Sequence, residues 1–140
     1  MMAEKNDDLT ALISERDITI NGESIVIHEY NFRDTLKYHR EILCIVNKLT
    51  DVLMDKSEIS TDEIKSIIAD HYDIVVTLVA GSVNKSVEWV NGINGQDAVD
   101  LFDWWWVVNS PFFITAVKRQ EIYRDIRRKK AADKKGQMPD

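Results

Sequence analysis

The sequence predicts a mainly helical α+β domain, with an N-terminal β-hairpin packed on a helical bundle and a mobile basic C-terminal tail. The stretch ITINGESIVI alternates apolar and polar residues around a tight-turn dipeptide, which is typical of a hairpin. Long apolar stripes at helical spacing follow it. With 140 residues, of which 44% are hydrophobic and 30% charged, the chain suits one globular domain around a single core.

The hairpin is expected over residues 16–30. Asn21 and Gly22 suit a two-residue type I′ turn, because both central residues of that turn need positive φ. The turn would set Ile18 opposite Ile25, so that one face collects isoleucines: Ile18, Ile20, Ile25 and Ile27. A lone hairpin is marginal in water, so this face should pack on helices.

Two longer helices should follow the hairpin. Asn31 can cap a helix over residues 32–54, whose apolar stripe runs from Phe32 to Leu53. The run STDE at 60–63 is a capping box before a second apolar-periodic segment, predicted as a helix over 61–80. Gly81 stands where a C′ glycine would end that helix.

The C-terminal third is expected to hold a helical turn at 86–90 and then the tryptophan-rich segment. Pro111 removes a backbone donor and clashes with the preceding turn. It either kinks one long helix or begins a new one, and we assign helices at 97–109 and 111–130.

The domain is expected to span residues 13–130. Residues 1–12 are predicted to be flexible, and residues 131–140 to be disordered, because the latter show no apolar pattern.

Charge is unevenly distributed along the chain. Residues 1–117 carry 9 Lys/Arg and 20 Asp/Glu, a net charge of −11, whereas residues 118–135 carry a net charge of +6. The acidic body argues against a nucleic-acid binder. The basic tail is either solvated surface that complements the helix dipole or a contact for an acidic partner.

The sequence indicates no catalytic site. It contains no GxGxxG, P-loop, HExxH or cysteine cluster, and His28, His39 and His71 belong to separate elements. We therefore predict no enzyme activity, cofactor or metal. Cys44 is alone, which excludes an intrachain disulfide and favours a reducing compartment, and no secretory signal is predicted at the N-terminus.

The stretch DWWWVVNSPFF, residues 103–113, concentrates the aromatic side chains. Consecutive helical residues point about 100° apart, so three adjacent tryptophans cannot all face one core. Either a neighbouring segment covers one of them, or some stay exposed for a partner. The candidate partner-binding residues are Trp104, Trp105, Trp106, Phe112 and Phe113.

A membrane function is the competing interpretation of this stretch. Residues 101–117 are near the lower length limit for a span. However, Asp103 lies inside, and a central Asp costs about 2.5–3.5 kcal/mol on insertion. We predict no span; peripheral adsorption through the aromatic segment and the basic tail stays an alternative.

The order of these elements resembles the tail assembly chaperones of Mu-like long-tailed bacteriophages. The resemblance covers roughly residues 14–120. It consists of the hairpin ITINGESIVI, a helical body, a short element with Gly81, Trp89 and Val90, and a helix with the pattern VNxxFF at residues 108–113.

The resemblance implies a non-catalytic protein of the host cytoplasm that binds the phage tape measure protein. It would keep that helical, apolar chain soluble until tail tube subunits polymerise around it, and would be absent from the mature virion. Tail tube subunits and further copies of the chain are other candidate partners. The alternative within phage biology is a structural or regulatory protein that remains in the virion.

Overall fold

A computed structural model describes residues 15–56 and 58–137. It confirms the predicted mainly helical α+β fold with an N-terminal hairpin. The predicted flexible residues 1–12 lie outside the described part. The elements, in chain order, are β1 (Glu15–Ile20), β2 (Glu23–His28), α1 (Phe32–Lys37), α2 (His39–Asp55), α3 (Thr61–Asp70), α4 (Tyr72–Val83), α5 (Val87–Asn91) and α6 (Gly95–Gln137).

The hairpin has the predicted turn and register. Asn21 and Gly22 have φ values of 52° and 78°, as a type I′ turn requires, and Ile18 pairs with Ile25. The isoleucine face is covered by α4 and α6. The backbone N–H of Asn21 also donates to Asp97 Oδ2 over 3.0 Å, which fixes the turn to the start of α6.

The first predicted helix, 32–54, is divided in the structure. Asn31 caps α1 through a reciprocal capping box with Asp34, as a cap at this position predicts. At Tyr38, however, φ is −103° and ψ is 23°, which separates α1 from α2. The Tyr38 ring lies against α4 at Gly81, so a contact far along the chain accompanies the interruption.

The second predicted helix, 61–80, is also two helices. Ser60 and Glu63 form the expected capping box, and a hydrogen bond from Lys56 lowers the pKa of Glu63. At His71 the chain bends, and α3 and α4 diverge by 103°. Because of the bend, the Ile67 carbonyl lacks its usual helical N–H donor. His71 Nδ1 lies 2.8 Å from this carbonyl oxygen, within hydrogen-bond distance.

Gly81 does not end the helix that precedes it, contrary to expectation. Helix α4 continues to Val83, and Asn84 supplies the left-handed residue with φ of 57°. The N–H of Lys85 then bonds the Ala80 carbonyl over 3.1 Å. Glycine is required at 81 for a different reason, because a Cβ there would lie 2.5 Å from the Tyr38 ring.

The two predicted helices at 97–109 and 111–130 are one helix, α6, of 43 residues. It is about 65 Å long at the usual rise per residue. Pro111 leaves the Val107 carbonyl without its N–H partner, but Ser110 Oγ is 3.5 Å away and Val107 is half exposed to solvent. The helix therefore continues through the proline.

The C-terminal half of α6 runs parallel to α2. Gln120 Nε2 donates to Asn47 Oδ1 over 2.9 Å, and Arg124 pairs with Asp51 at 2.5 Å. Residues 131–137, predicted to be disordered, extend α6, whereas 138–140 lie outside the described part. Residues 125–134, the basic arm, are all exposed.

Within residues 15–56 and 58–137, no single helix combines the length and the apolarity needed to cross a bilayer. Helices α3 and α4 reach those values only when taken together, across their 103° bend.

We predict that Gly81→Ala lowers the free energy of unfolding by about 1–3 kcal/mol, because its Cβ must displace the Tyr38 ring. Urea denaturation measures this. The matched control is Gly92→Ala, where the nearest atom would be 3.5 Å away and little change is expected. Replacing Tyr38 with Ala should make the Gly81 substitution harmless. Equal stabilities for both alanine variants would contradict the steric argument.

Candidate functional site

The five candidate aromatic residues have different environments. Trp105 and Phe113 are 0% exposed, so the expectation that they contact a partner is corrected: they are core residues. Trp104 is partly exposed, and the Arg16 guanidinium covers its ring at 4.0 Å. Trp106 and Phe112 are partly exposed and line different surface grooves, so these two remain candidates for partner contact.

The core aromatic residues are organised around Tyr30, which follows β2. Its hydroxyl donates to the Leu78 carbonyl of α4 over 2.5 Å and accepts a hydrogen bond from Trp105 Nε1 over 3.0 Å. Phe112 and Phe113 pack edge-on against its ring, at centroid distances of 5.6 and 6.3 Å. One phenol thus joins the hairpin, α4 and α6.

Asn109 is the second buried polar group of this cluster and is 0% exposed. Its Oδ1 accepts the backbone N–H of Tyr30 over 3.2 Å, and its Nδ2 lies 3.3 Å from Ser82 Oγ. The Ser82 hydroxyl donates to the His28 carbonyl over 2.7 Å. The polar residue of the VNxxFF pattern therefore satisfies the backbone where β2 ends, and it holds α6 in a fixed rotation.

That rotation leaves an apolar groove on one side of α6, which we call the tryptophan groove. Its lining includes Trp106, Ile114, Leu53, Ile59 and Ile64, and it has a volume of about 440 Å³. A neighbouring depression shares Trp106 and Ile64 and extends toward Phe102, with a volume of about 340 Å³. An ion pair of 3.4 Å between Lys65 and Asp103 crosses the gap between α3 and α6.

A second groove, the phenylalanine groove, also lies between α2 and α6, nearer the N-terminal end of α2. Its apolar lining is Phe112, Ala116, Ile42, Leu43 and Val46, and its volume is about 480 Å³. Glu29, His39 and Arg119 are its ionisable lining residues.

Two large apolar side chains stand exposed on α1. Phe32 and Leu36 are 81% and 64% exposed, whereas the sequence placed both in the apolar stripe of a packed helix. Thr35, on the same helix, lines the groove. Sequence reasoning missed these residues as surface candidates, because an amphipathic stripe is read as a core face unless the packing is known.

The three histidines, all within the described residues, stand apart from one another. His28 Nε2 is 3.6 Å from Asp34 Oδ2, and His71 contacts the carbonyl of Ile67, while His39 is exposed. In the part of the chain that the structure describes, no three His, Cys, Asp or Glu side chains come together to hold a metal ion. What the described surface offers is apolar contact area, in the two grooves beside α6 and in a further depression of about 390 Å³ between α4 and the start of α6.

Residues 8–139 match the model of a family of unknown function, DUF6631, and the chain belongs to that family. No curated protein and no solved structure matches the chain.

We predict that Asn109→Ala lowers the free energy of unfolding by about 2–4 kcal/mol, because buried partners at Tyr30 and Ser82 lose their hydrogen bonds. Chemical denaturation measures this. The control is Ser110→Ala on the next residue, which contacts only the Val107 carbonyl at 3.5 Å and should be nearly neutral. Similar losses in both variants would show that the network does not carry the stability.

A pH dependence follows from Tyr30, because burial raises the pKa of its phenol far above the ordinary value. The unfolded chain then loses this proton first, near pH 10, and above that pH stability should fall by about 1.4 kcal/mol per pH unit. Below pH 10 the phenol of Tyr30 is protonated in both states, so its contribution to the free energy of unfolding does not change with pH.

Tyr30→Phe isolates this effect. The variant should be less stable at pH 8, since it loses two hydrogen bonds, but its stability should fall less steeply above pH 10. Urea denaturation from pH 8 to 11 provides both curves. Parallel curves would contradict the assignment of the alkaline loss to Tyr30.

Proposed function

We propose that the chain is a non-catalytic tail assembly chaperone, which binds the tape measure protein of a long-tailed phage in the host cytoplasm. The observation that carries the proposal is the pair of apolar grooves beside α6, one lined by Trp106 and the other by Phe112. Grooves between helices are the usual docking surface for amphipathic helices.

The resemblance supports the finer part of the proposal. Its pattern VNxxFF at residues 108–113 coincides with the segment where Asn109 and Phe113 hold the hairpin against α6. In this chain, Asn109 and Phe113 of the pattern are buried and fix the position of α6. Phe112 of the pattern lines the phenylalanine groove.

The charge distribution supports a solubilising role. The acidic body, with a net charge of −11 over residues 1–117, would give a complex with an apolar client a repulsive surface. The basic segment could contact acidic surfaces elsewhere, including those of tail tube subunits or of another copy of the chain.

The test is co-expression with the tape measure protein of the genome that encodes this chain. We predict that the tape measure protein is soluble only when this chain is present. Ile114→Glu should lower the soluble yield severalfold, because it puts a charge into the tryptophan groove. Since Ile114 is 50% exposed, the free energy of unfolding should change by less than about 0.5 kcal/mol.

Val99→Glu is the matched control for this substitution. Val99 lies on the same helix and is 51% exposed, but it lines neither groove. A tape measure protein that is equally soluble with and without the chain would reject the chaperone function. Stoichiometric detection of the chain in purified virions would instead favour a structural protein retained in the particle.

A further inference from the structure

We propose that the phenylalanine groove takes one amphipathic α-helix of a partner protein, with acidic residues flanking its apolar stripe. This inference rests on the proposed function, because it assigns a chemical class to the client segment. It commits to one of the two grooves and to one sign of charge.

The first support is the shape of the groove. Its walls are α2 and α6, which run parallel where Gln120 bonds Asn47 and Arg124 pairs with Asp51. Its lining is mainly apolar, from Ile42 and Val46 on one wall to Phe112 and Ala116 on the other. An elongated apolar trough between parallel helices fits the apolar stripe of a third helix.

The second support is exposed apolar surface beside the groove. Phe32 and Leu36 are 81% and 64% exposed on α1, and Leu43, which lines the groove, is 39% exposed. On a soluble domain, adjoining exposed apolar side chains of this size usually mark an interface. Phe32 and Leu36 belong to the helix that contributes Thr35 to the groove.

The third support is charge. Arg119 lines the groove, and Arg40 follows the groove-lining His39 on α2; both arginines are exposed and form no ion pair within the described residues. Lys37 is exposed as well, with its ammonium group 5.4 Å from the centre of the Tyr38 ring.

The acidic groups near this surface are fewer or are already engaged. Asp34 caps α1 and approaches His28, which leaves Glu29 and Glu41, both partly exposed. Glu29 shares the lining with Arg119, but Arg40 and Arg119 stand exposed on the two wall helices, and in a chain with a net charge of −6 this favours an acidic partner.

The shape of the groove fits a lipid surface less well than a helix. A bilayer contacts protruding apolar residues such as Phe32 but cannot reach into a trough between two helices. The geometry therefore favours a helix over a membrane.

The experiment uses the full chain and two fluorescent 20-residue helical peptides with the same leucine stripe. One peptide carries Glu beside the stripe and the other carries Lys. Fluorescence anisotropy should show the Glu peptide binding about tenfold or more tightly than the Lys peptide, and the preference should shrink as salt is raised.

Two variants locate the binding. Ala116→Trp should fill the groove and weaken both peptides. The double variant Arg40→Glu/Arg119→Glu should weaken the Glu peptide about tenfold and strengthen the Lys peptide, a reversal that partial unfolding would not produce. The control is Arg127→Glu/Arg128→Glu, which makes the same charge change on the basic arm and should leave both affinities unchanged.

Equal affinity for the two peptides, or binding of neither, would overturn the inference. So would flotation of the chain with vesicles of phosphatidylglycerol and phosphatidylcholine that depends on Phe32 while neither peptide binds. If the tape measure protein needs Ile114 for solubility but tolerates the groove variants, this inference fails and the proposed function stands. If the Glu peptide binds as described but the solubility of the tape measure protein does not depend on the chain, only the proposed function fails.

Discussion

The fold depends on one buried polar contact, between the Asn109 side chain and the backbone where the hairpin ends. Asn109 accepts from the Tyr30 N–H, and with Ser82 it approaches the carbonyl of His28. A strand that stops inside a protein leaves backbone groups that water cannot reach, and each would cost free energy if unpaired. One amide side chain resolves this for β2 and at the same time fixes how α6 is rotated beneath the hairpin.

The surface follows from that rotation. With Asn109 facing the strand end, Trp105 and Phe113 must point into the core, where they pack against each other at 5.8 Å. Trp106 and Phe112 are each next in sequence to a core aromatic residue, so they emerge beside the buried stripe and line different grooves. The two grooves are thus a geometric consequence of clustering aromatic residues at 104–106 and 112–113 of one helix that buries only a narrow stripe.

The candidate site could be located from the sequence only in part. The density of aromatic residues indicated the correct helix, and the 100° argument required that the tryptophans differ in burial. It could not say which one is buried, because a rotation of the helix by one residue exchanges their roles. Nor could it find Phe32 and Leu36, since their spacing is that of a core face. Their exposure arises because the chain is interrupted at Tyr38, whose ring lies against Gly81, 43 positions later in the sequence.

The sequence by itself determined the features whose causes lie within a few residues of one another. These are the Asn21-Gly22 turn, the hairpin register and the capping boxes at Asn31 and Ser60. Tertiary structure alone decided the interruption at Tyr38, the bend at His71 and the continuity of α6 through Pro111. In each of these places the local sequence has only a weak conformational preference, or a nearby group takes over a lost backbone hydrogen bond, as His71 does for the Ile67 carbonyl. Packing against distant segments could therefore select the backbone path, because it involves larger free energies than the local preference does.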